Sequence, residues 1–231
     1  MRHLAIIIDG NGRWAVSRGL ERLSGHAEGA RAVARAIEAA DEMRLECISF
    51  YAFSTENFKR GPQETLGIFA ILAGFLEETL LPLVKERNLR LRFIGDLERL
   101  TPELLTSISR VNVAGLNNRG MTVVIAVGYG GRDEIAKAFN LLMEQKLLNS
   151  DFSHITFDDI ARYLYTANLP DPDVVWRFGG HRRLSNFLPL QTVYSELFFT
   201  QKLWPDFQKE DLYKLCAEYK TIKRNFGDIP K

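Results

Sequence analysis

The feature that most restricts the fold is an apolar run that ends abruptly on an acid. Ala5, Ile6, Ile7 and Ile8 lead directly into Asp9, and Gly10-Asn11-Gly12 follows. Consecutive apolar residues without alternation read as a strand buried on both faces, the pattern of a parallel sheet covered by helices. An acid directly after such a strand stands at its carboxyl end, the edge at which open α/β sheets bind ligands. Gly10 and Gly12 let the backbone turn sharply there and expose amide N–H groups at the start of the next helix, which suits an anion. Asp9 faces the same spot, and a carboxylate repels a phosphate unless a divalent cation sits between them. The stretch therefore reads as a magnesium-diphosphate site, with Arg13 adding a positive clamp. An Asp9 that merely caps a helix, with glycines making an ordinary turn, accounts for these residues equally well, and both readings stay open at this point.

The same rhythm recurs along the chain. Further strands are expected at Cys47–Ala52, Leu89–Ile94, Thr122–Val127, Val174–Trp176 and Leu197–Phe199. Helices are expected at Ala27–Met43, Gln63–Glu86, Pro102–Val113, Arg132–Leu148, Asp158–Tyr165 and Gln208–Lys223, with Arg18–His26 as a glycine-punctuated connection. No linker, repeat or low-complexity segment interrupts the alternation. The expected fold is one doubly wound α/β domain spanning residues 1–231, with a mostly parallel sheet of about six strands flanked by helices.

The helix at Gln63–Glu86 is apolar around nearly its whole circumference, so it is buried or borders something greasy. Glu77, Glu78, Gly67 and Gly74 break its apolar run, and no membrane span is expected. Gly67, Ala70, Ala73 and Gly74 would open space along one side.

With 30 Lys and Arg against 29 Asp and Glu, the net charge of +1 offers no footprint for nucleic acid, so any phosphate binding must be local. Cys47 and Cys216 have no metal-ligand spacing and suggest a reducing compartment; with no charged and apolar leader before the first strand, a cytoplasmic location is the expectation.

Gly10 to Ala15 also matches the G-x-G-x-x-A dinucleotide fingerprint. That fingerprint needs a ribose-binding acid after the second strand, and Phe53-Ser54 stands there instead, which disfavours a dehydrogenase.

Four strand ends present polar groups to one edge: Asp9 to Arg13, Ser54 to Arg60, Gly128 to Arg132, and Arg177 to Ser185. Glycines with arginines give close backbone approach and forked donors, which is phosphate chemistry. Arg177 directly follows an apolar strand and is expected to point into the site. Glu196, beside another strand-like edge, is a candidate second carboxylate for the same metal.

These residues carry a resemblance. Asp9-Gly10-Asn11-Gly12-Arg13-Trp14-Ala15, Gly25-His26, Tyr51 to Asn57, Leu91 to Asp96, Tyr129 to Arg132, Arg183 to Phe187 and Tyr194 to Leu197 follow one another as in the cis-prenyltransferases, from His3 to Gly227. The resemblance implies a homodimeric, Mg2+-dependent enzyme adding isopentenyl diphosphate in cis to an allylic diphosphate such as farnesyl diphosphate. It also implies an apolar tunnel between sheet and helices, walled by Gln63–Glu86, and peripheral contact with a membrane when product leaves.

On the same resemblance, Asp9 binds the metal with Glu196. Gly10, Gly12, Arg13, Trp14, Arg22 and His26 hold the allylic substrate, and Arg177, Arg183 and Ser185 hold isopentenyl diphosphate. Ser54, Asn57, Phe58 and Arg60 lie near the reacting centre, with Asn11 helping proton loss. Phe58, an extra Gly61, Phe178 and His181 depart from the usual pattern, and Phe178 and His181 prompt the alternative of a short or unusually coupled product. A noncatalytic lipid-binding subunit is a further alternative, against which the retained Asp9, Arg13, Arg177, Arg183 and Glu196 stand. The trans enzymes use DDxxD helices, and Asp158-Asp159 lacks the third aspartate.

Overall fold

The computed structural model of the chain describes residues 1–224. Residues 225–227, the last stretch of the family resemblance, lie outside the described residues. The elements run β1 (His3–Ile7), α1 (Asn11–Val16), α2 (Arg22–Glu42), β2 (Cys47–Ser54), α3 (Pro62–Phe75), α4 (Leu81–Glu86), β3 (Arg90–Ile94) and α5 (Pro102–Gly115). They continue with β4 (Thr122–Tyr129), α6 (Gly131–Leu148), α7 (Phe157–Ala161), β5 (Val174–Arg177), β6 (Glu196–Phe199) and α8 (Lys209–Tyr219).

All six strands pair in parallel, in the order β3-β4-β2-β1-β5-β6. The inner strands are buried on both faces because successive side chains point to opposite sides. Leu4, Ile6, Ile48 and Phe50 pack beneath residues of α2, α3, α5 and α8, while Ala5, Ile7, Val124 and Val175 pack beneath Tyr165, Leu169, Phe187 and Leu188. At the edge, β6 alternates between half-buried and exposed residues.

Two sequence expectations change. The stretch Arg18–His26 is not wholly a connection, since α2 already begins at Arg22. Its Gly25 serves packing and not turning: a Cβ there would lie 2.0 Å from the Asn11 carbonyl oxygen, and one at Gly29 would lie 2.3 Å from Asn11 Oδ1. These glycines let α1 and α2 touch at backbone distance.

The long apolar helix is also not uniform. A π-helical turn, Leu76–Leu80, joins α3 to α4. Pro82 lacks an N–H and its ring crowds the carbonyl four residues earlier, which favours such a re-registration. Pro62–Glu86, 25 residues, is long and apolar enough to cross a bilayer by length and composition, contrary to the expectation from its acids. Its Ile68, Phe69, Phe75, Leu76, Leu80, Leu83 and Val84 are nevertheless buried in the protein core.

Candidate active site

Parallel register brings the carboxyl ends of the strands level. Ile7 lies opposite Tyr51 on one side and Arg177 on the other. From β1 the chain moves toward β2, and from β5 it moves toward β6 on the other side, so a crevice opens between β1 and β5. Asp9 and Arg177 straddle it.

Arg177 is 5% exposed, so its charge needs partners. Its Nη2 donates to Asp9 Oδ2 at 3.0 Å, and its Nη1 donates to Ser185 Oγ at 2.7 Å and to the Arg183 carbonyl. Its Nε is buried without an acceptor. The other Asp9 oxygen accepts from Arg13 Nη2 at 3.1 Å, so the carboxylate is held between two guanidinium groups. Gly179 makes room for this clamp: at φ +83°, a Cβ there would fall 2.5 Å from Arg13 Nη2.

These groups open onto a cavity of about 960 Å³. On the α1, α2 and α3 side it is lined by Gly10, Asn11, Gly12, Arg13, Arg22, His26 and Arg60; on the β4 and β5 side, by Arg132, Arg177, Ser185 and Asn186. Two arginine groups thus flank one carboxylate. Ser54 and Asn57 lie on the wall, where Asn57 Oδ1 accepts from the Ser54 N–H at 2.9 Å and fixes the 3-10 turn Thr55–Arg60. Glu64 accepts from Arg22 at 3.3 Å and from Arg60 at 3.5 Å, which orients both cations.

His26 is neutral at physiological pH. Burial, reinforced by the nearby Arg60 and Arg22 charges, pushes its pKa down to about 4, and its Nε2 is buried with no partner. Asn11 Nδ2 donates to the Ile8 carbonyl at 3.3 Å, while its Oδ1 is likewise buried and unpartnered.

A smaller apolar cavity of about 60 Å³ shares Ile8, Asn11, His26, Ala52, Phe53 and Ile68 with the main one and continues to Ile71, Leu72 and Phe75. The side of α3 that faces it is therefore Ile68, Ile71, Leu72 and Phe75, not the small residues. Gly67 abuts Leu23, where a Cβ would lie 2.7 Å from Leu23 Cδ1, Ala70 is exposed, and neither Ala73 nor Gly74 lines the cavity.

Four sequence-predicted site residues stand elsewhere. Trp14 donates from Nε1 to Asp206 at 2.7 Å and carries Arg18 over its ring, outside the cavity lining. Phe58 packs edge-on against Phe53 and Phe69 with Arg99 stacked on its ring at 3.7 Å. Arg183 is exposed and contributes its carbonyl to Arg177, not its side chain to the cavity. Glu196 opens β6 opposite Val174, at the amino end of the strands, whereas Asp9 follows their carboxyl end, so one chain does not bring these two carboxylates together.

Phe178 is wholly buried among Trp176, Trp204 and Phe207, and His181 does not line the cavity. Arg132, at the end of the glycine turn read as phosphate chemistry, lines it as expected, and Glu56 and Asn186 line it without having been given a role.

The sequence matches the prenyltransferase family described as undecaprenyl diphosphate synthase over residues 7–227. It is 39% identical over 229 residues to an isoprenyl transferase of Rhodopirellula baltica, covering 99% of this chain and 93% of that one. It is 41% identical over 230 residues to one of Leptospira interrogans, covering 99% and 95%. Among solved structures, the fold resembles lavandulyl diphosphate synthase from Lavandula x intermedia, in complex with dimethylallyl diphosphate, with TM-score 0.94, 33% identity and 98% of both chains covered. It also resembles a chain described as a probable undecaprenyl diphosphate synthase from Campylobacter jejuni, with TM-score 0.81, 31% identity and 99% of both covered. With a doubly wound parallel sheet, arginines and a carboxylate at its switch point and this likeness along its length, the chain belongs to the undecaprenyl diphosphate synthase family and is a cis-prenyltransferase that acts on isoprenoid diphosphates.

Proposed function

We propose that the enzyme condenses isopentenyl diphosphate onto an allylic diphosphate such as farnesyl diphosphate, with Mg2+, and extends it to a polyprenyl diphosphate of the undecaprenyl class. The observation that carries this reading is the pair of arginine groups on either side of Asp9 in one cavity whose floor is apolar. Two diphosphates and one hydrocarbon chain match that distribution of charge.

Arg13, Arg22, Arg60 and the Gly10–Gly12 backbone hold the allylic diphosphate with its chain directed toward Ile68, Ile71 and Phe75. Arg177, Arg132 and Ser185 hold isopentenyl diphosphate. When the allylic carbon–oxygen bond breaks, negative charge grows on the leaving diphosphate, and the fixed guanidinium groups stabilise it without having to reorganise. The double bond of isopentenyl diphosphate attacks the allylic carbon and a proton is lost, with Asn11 and Asn57 at the reacting centre. Phe53, Ile68 and Ile8 keep water from the cation-like carbon.

The donor set fits magnesium, which takes few carboxylates and completes its shell with substrate phosphate oxygens. Asp9 is the residue that would hold it, and the bound ion would supply charge neutralisation to the departing diphosphate. Homodimerisation and a peripheral membrane contact at product release, with a cytoplasmic location, complete the proposal.

A second reading is a short or unusually coupled product. It is favoured by the apolar extension of about 60 Å³, room for on the order of four or five water-sized atoms and so roughly one isoprene unit. The likeness to lavandulyl diphosphate synthase supports it.

Incubating the purified enzyme with Mg2+, radiolabelled isopentenyl diphosphate and either farnesyl or dimethylallyl diphosphate, followed by product chromatography, tests both. Long cis-polyprenyl products are expected; a single short product establishes the second reading, and no condensation with either primer overturns both.

A further inference from the structure

We propose that Asn186 is a positioning residue that sets the geometry of the diphosphate subsite formed by Arg132, Arg177 and Ser185. This rests on reading the cavity as a site for two diphosphates.

Ser185 and Asn186 are consecutive non-glycine residues in the left-handed region, at φ +51° and +66°. Asparagine tolerates that conformation; serine does so less readily. Backbone of this kind persists only where its surroundings over-determine it, and it gathers at ligand clamps.

The surroundings converge on Asn186. Its Oδ1 accepts from the Arg132 N–H at 2.9 Å, its carbonyl accepts from the Gly131 N–H at 2.8 Å, and its Nδ2 donates to Glu56 Oε1 at 3.4 Å. One residue in the loop after β5 is therefore tied to the first turn of α6 and to the 3-10 turn after β2. Glycine at 130 and 131 makes this approach possible, since a Cβ at Gly130 would lie 3.0 Å from Asn186 Nδ2 and one at Gly131 would lie 3.0 Å from the Asn186 carbonyl.

What the tie secures is the next residue back. Ser185 Oγ meets Arg177 Nη1 at 2.7 Å, and Arg177 in turn meets Asp9. The Ser185 carbonyl accepts from Tyr51 OH at 3.3 Å, and beside the backbone bond from Gly131 the Asn186 carboxamide is the side-chain link from this turn to Arg132. Of its two side-chain bonds the 2.9 Å one to Arg132 is the stronger; the 3.4 Å contact lies beyond the usual range. The acceptor oxygen is thus the essential atom.

The test compares Asn186→Gly and Asn186→Ala, which delete the carboxamide, with Asn186→Ser, which keeps a neutral acceptor for the Arg132 N–H without adding a charge beside Glu56 or the diphosphate. Steady-state kinetics are run with each substrate varied, beside thermal melts. Losing one hydrogen bond of this kind corresponds to about a tenfold effect. The KM for isopentenyl diphosphate should rise about tenfold in the Gly and Ala variants, with the allylic KM within about twofold of the parent and the Ser variant closer to the parent than either. A Ser variant as impaired as the Gly variant overturns the proposal, as does an equal change in both KM values or in neither. Loss of folding in both Gly and Ala variants assigns a structural role and also overturns it.

Calorimetric titration with inorganic pyrophosphate needs no turnover. It should show binding weakened about tenfold in the Gly variant and largely restored in the Ser variant, and unweakened binding counts against Asn186. If the parent enzyme shows no condensation the proposed reaction falls, while this titration still decides the role of Asn186.

Discussion

Both Asp9 oxygens are spent on arginines, and its side chain remains 27% exposed. Asp9→Ala should lower turnover by about a thousandfold, the scale of losing a principal charge-stabilising group, while the protein stays folded, though less stable because buried Arg177 loses its carboxylate partner, and binds inorganic pyrophosphate through the remaining arginines. Steady-state rates and calorimetry check this, and near-normal turnover in saturating magnesium would refute it. A second prediction concerns acid. His3, bonded to the Pro170 carbonyl and Ser49 Oγ, is pushed down to about 4 by burial, as is His26. In the unfolded chain each takes up a proton near pH 6.5, in the fold only near 4, so their contribution is complete above 6.5 and is lost as the pH falls toward 4. Each accounts for roughly 3 kcal/mol across that window. Urea unfolding at pH 7 and pH 4.5 should show the loss, and His26→Gln should flatten the slope; equal slopes in the two proteins would show that His26 does not contribute. At this scale, Asp9 and Arg177 were legible because each follows or ends an apolar run, and Arg13 because it comes directly after the glycine turn beyond one. Trp14 and Phe58 were not, because an aromatic ring suits a cavity wall or a core equally, and their partners Asp206 and Phe69 are set by tertiary packing.

The stretch Pro62–Glu86 shows what a hydrophobic pattern leaves open. Its apolar circumference was evident, but which side faces the cavity depends on the π turn at Leu76–Leu80 and on Leu23 filling the hollow at Gly67. Of the small residues, Gly67 marks a close approach of Leu23, whereas Ala70 is exposed and a Cβ at Gly74 would meet nothing within 4 Å. Phe75, 7% exposed, closes the apolar cavity together with Leu72 and Ile71. Phe75→Ala should lengthen the product by one or more isoprene units, and cost about 3–5 kcal/mol of stability as a buried Phe-to-Ala change. Chromatography beside denaturant titration checks both; a destabilised enzyme with unaltered product length would show that the floor of the tunnel lies elsewhere. The strands were legible to within two residues because parallel strands buried on both faces are written as unbroken apolar runs. Glu196 shows the limit of that signal, for adjacency to a strand does not say which end of it a residue occupies.

Across the whole molecule, class and strand number followed from the alternation of apolar runs and helices, but strand order did not. β4 lies between β3 and β2, and β5 beside β1, and nothing local in the sequence states that arrangement. The site depends on it, because the Asp9–Arg177 ion pair joins residues separated by 168 positions. Such a contact is among the most distant the chain makes, and closing loops of that length slows folding. Secondary structure should return early on dilution from urea, with catalytic activity regained in a later, slower phase. Circular dichroism and activity followed on the same refolding sample would separate the two, and coincident recovery would show that the pair forms with the first sheet contacts. During synthesis, by the same geometry, the candidate site is complete only once β5 has emerged and reached β1: Asp9 is made long before Arg177, the partner that holds it.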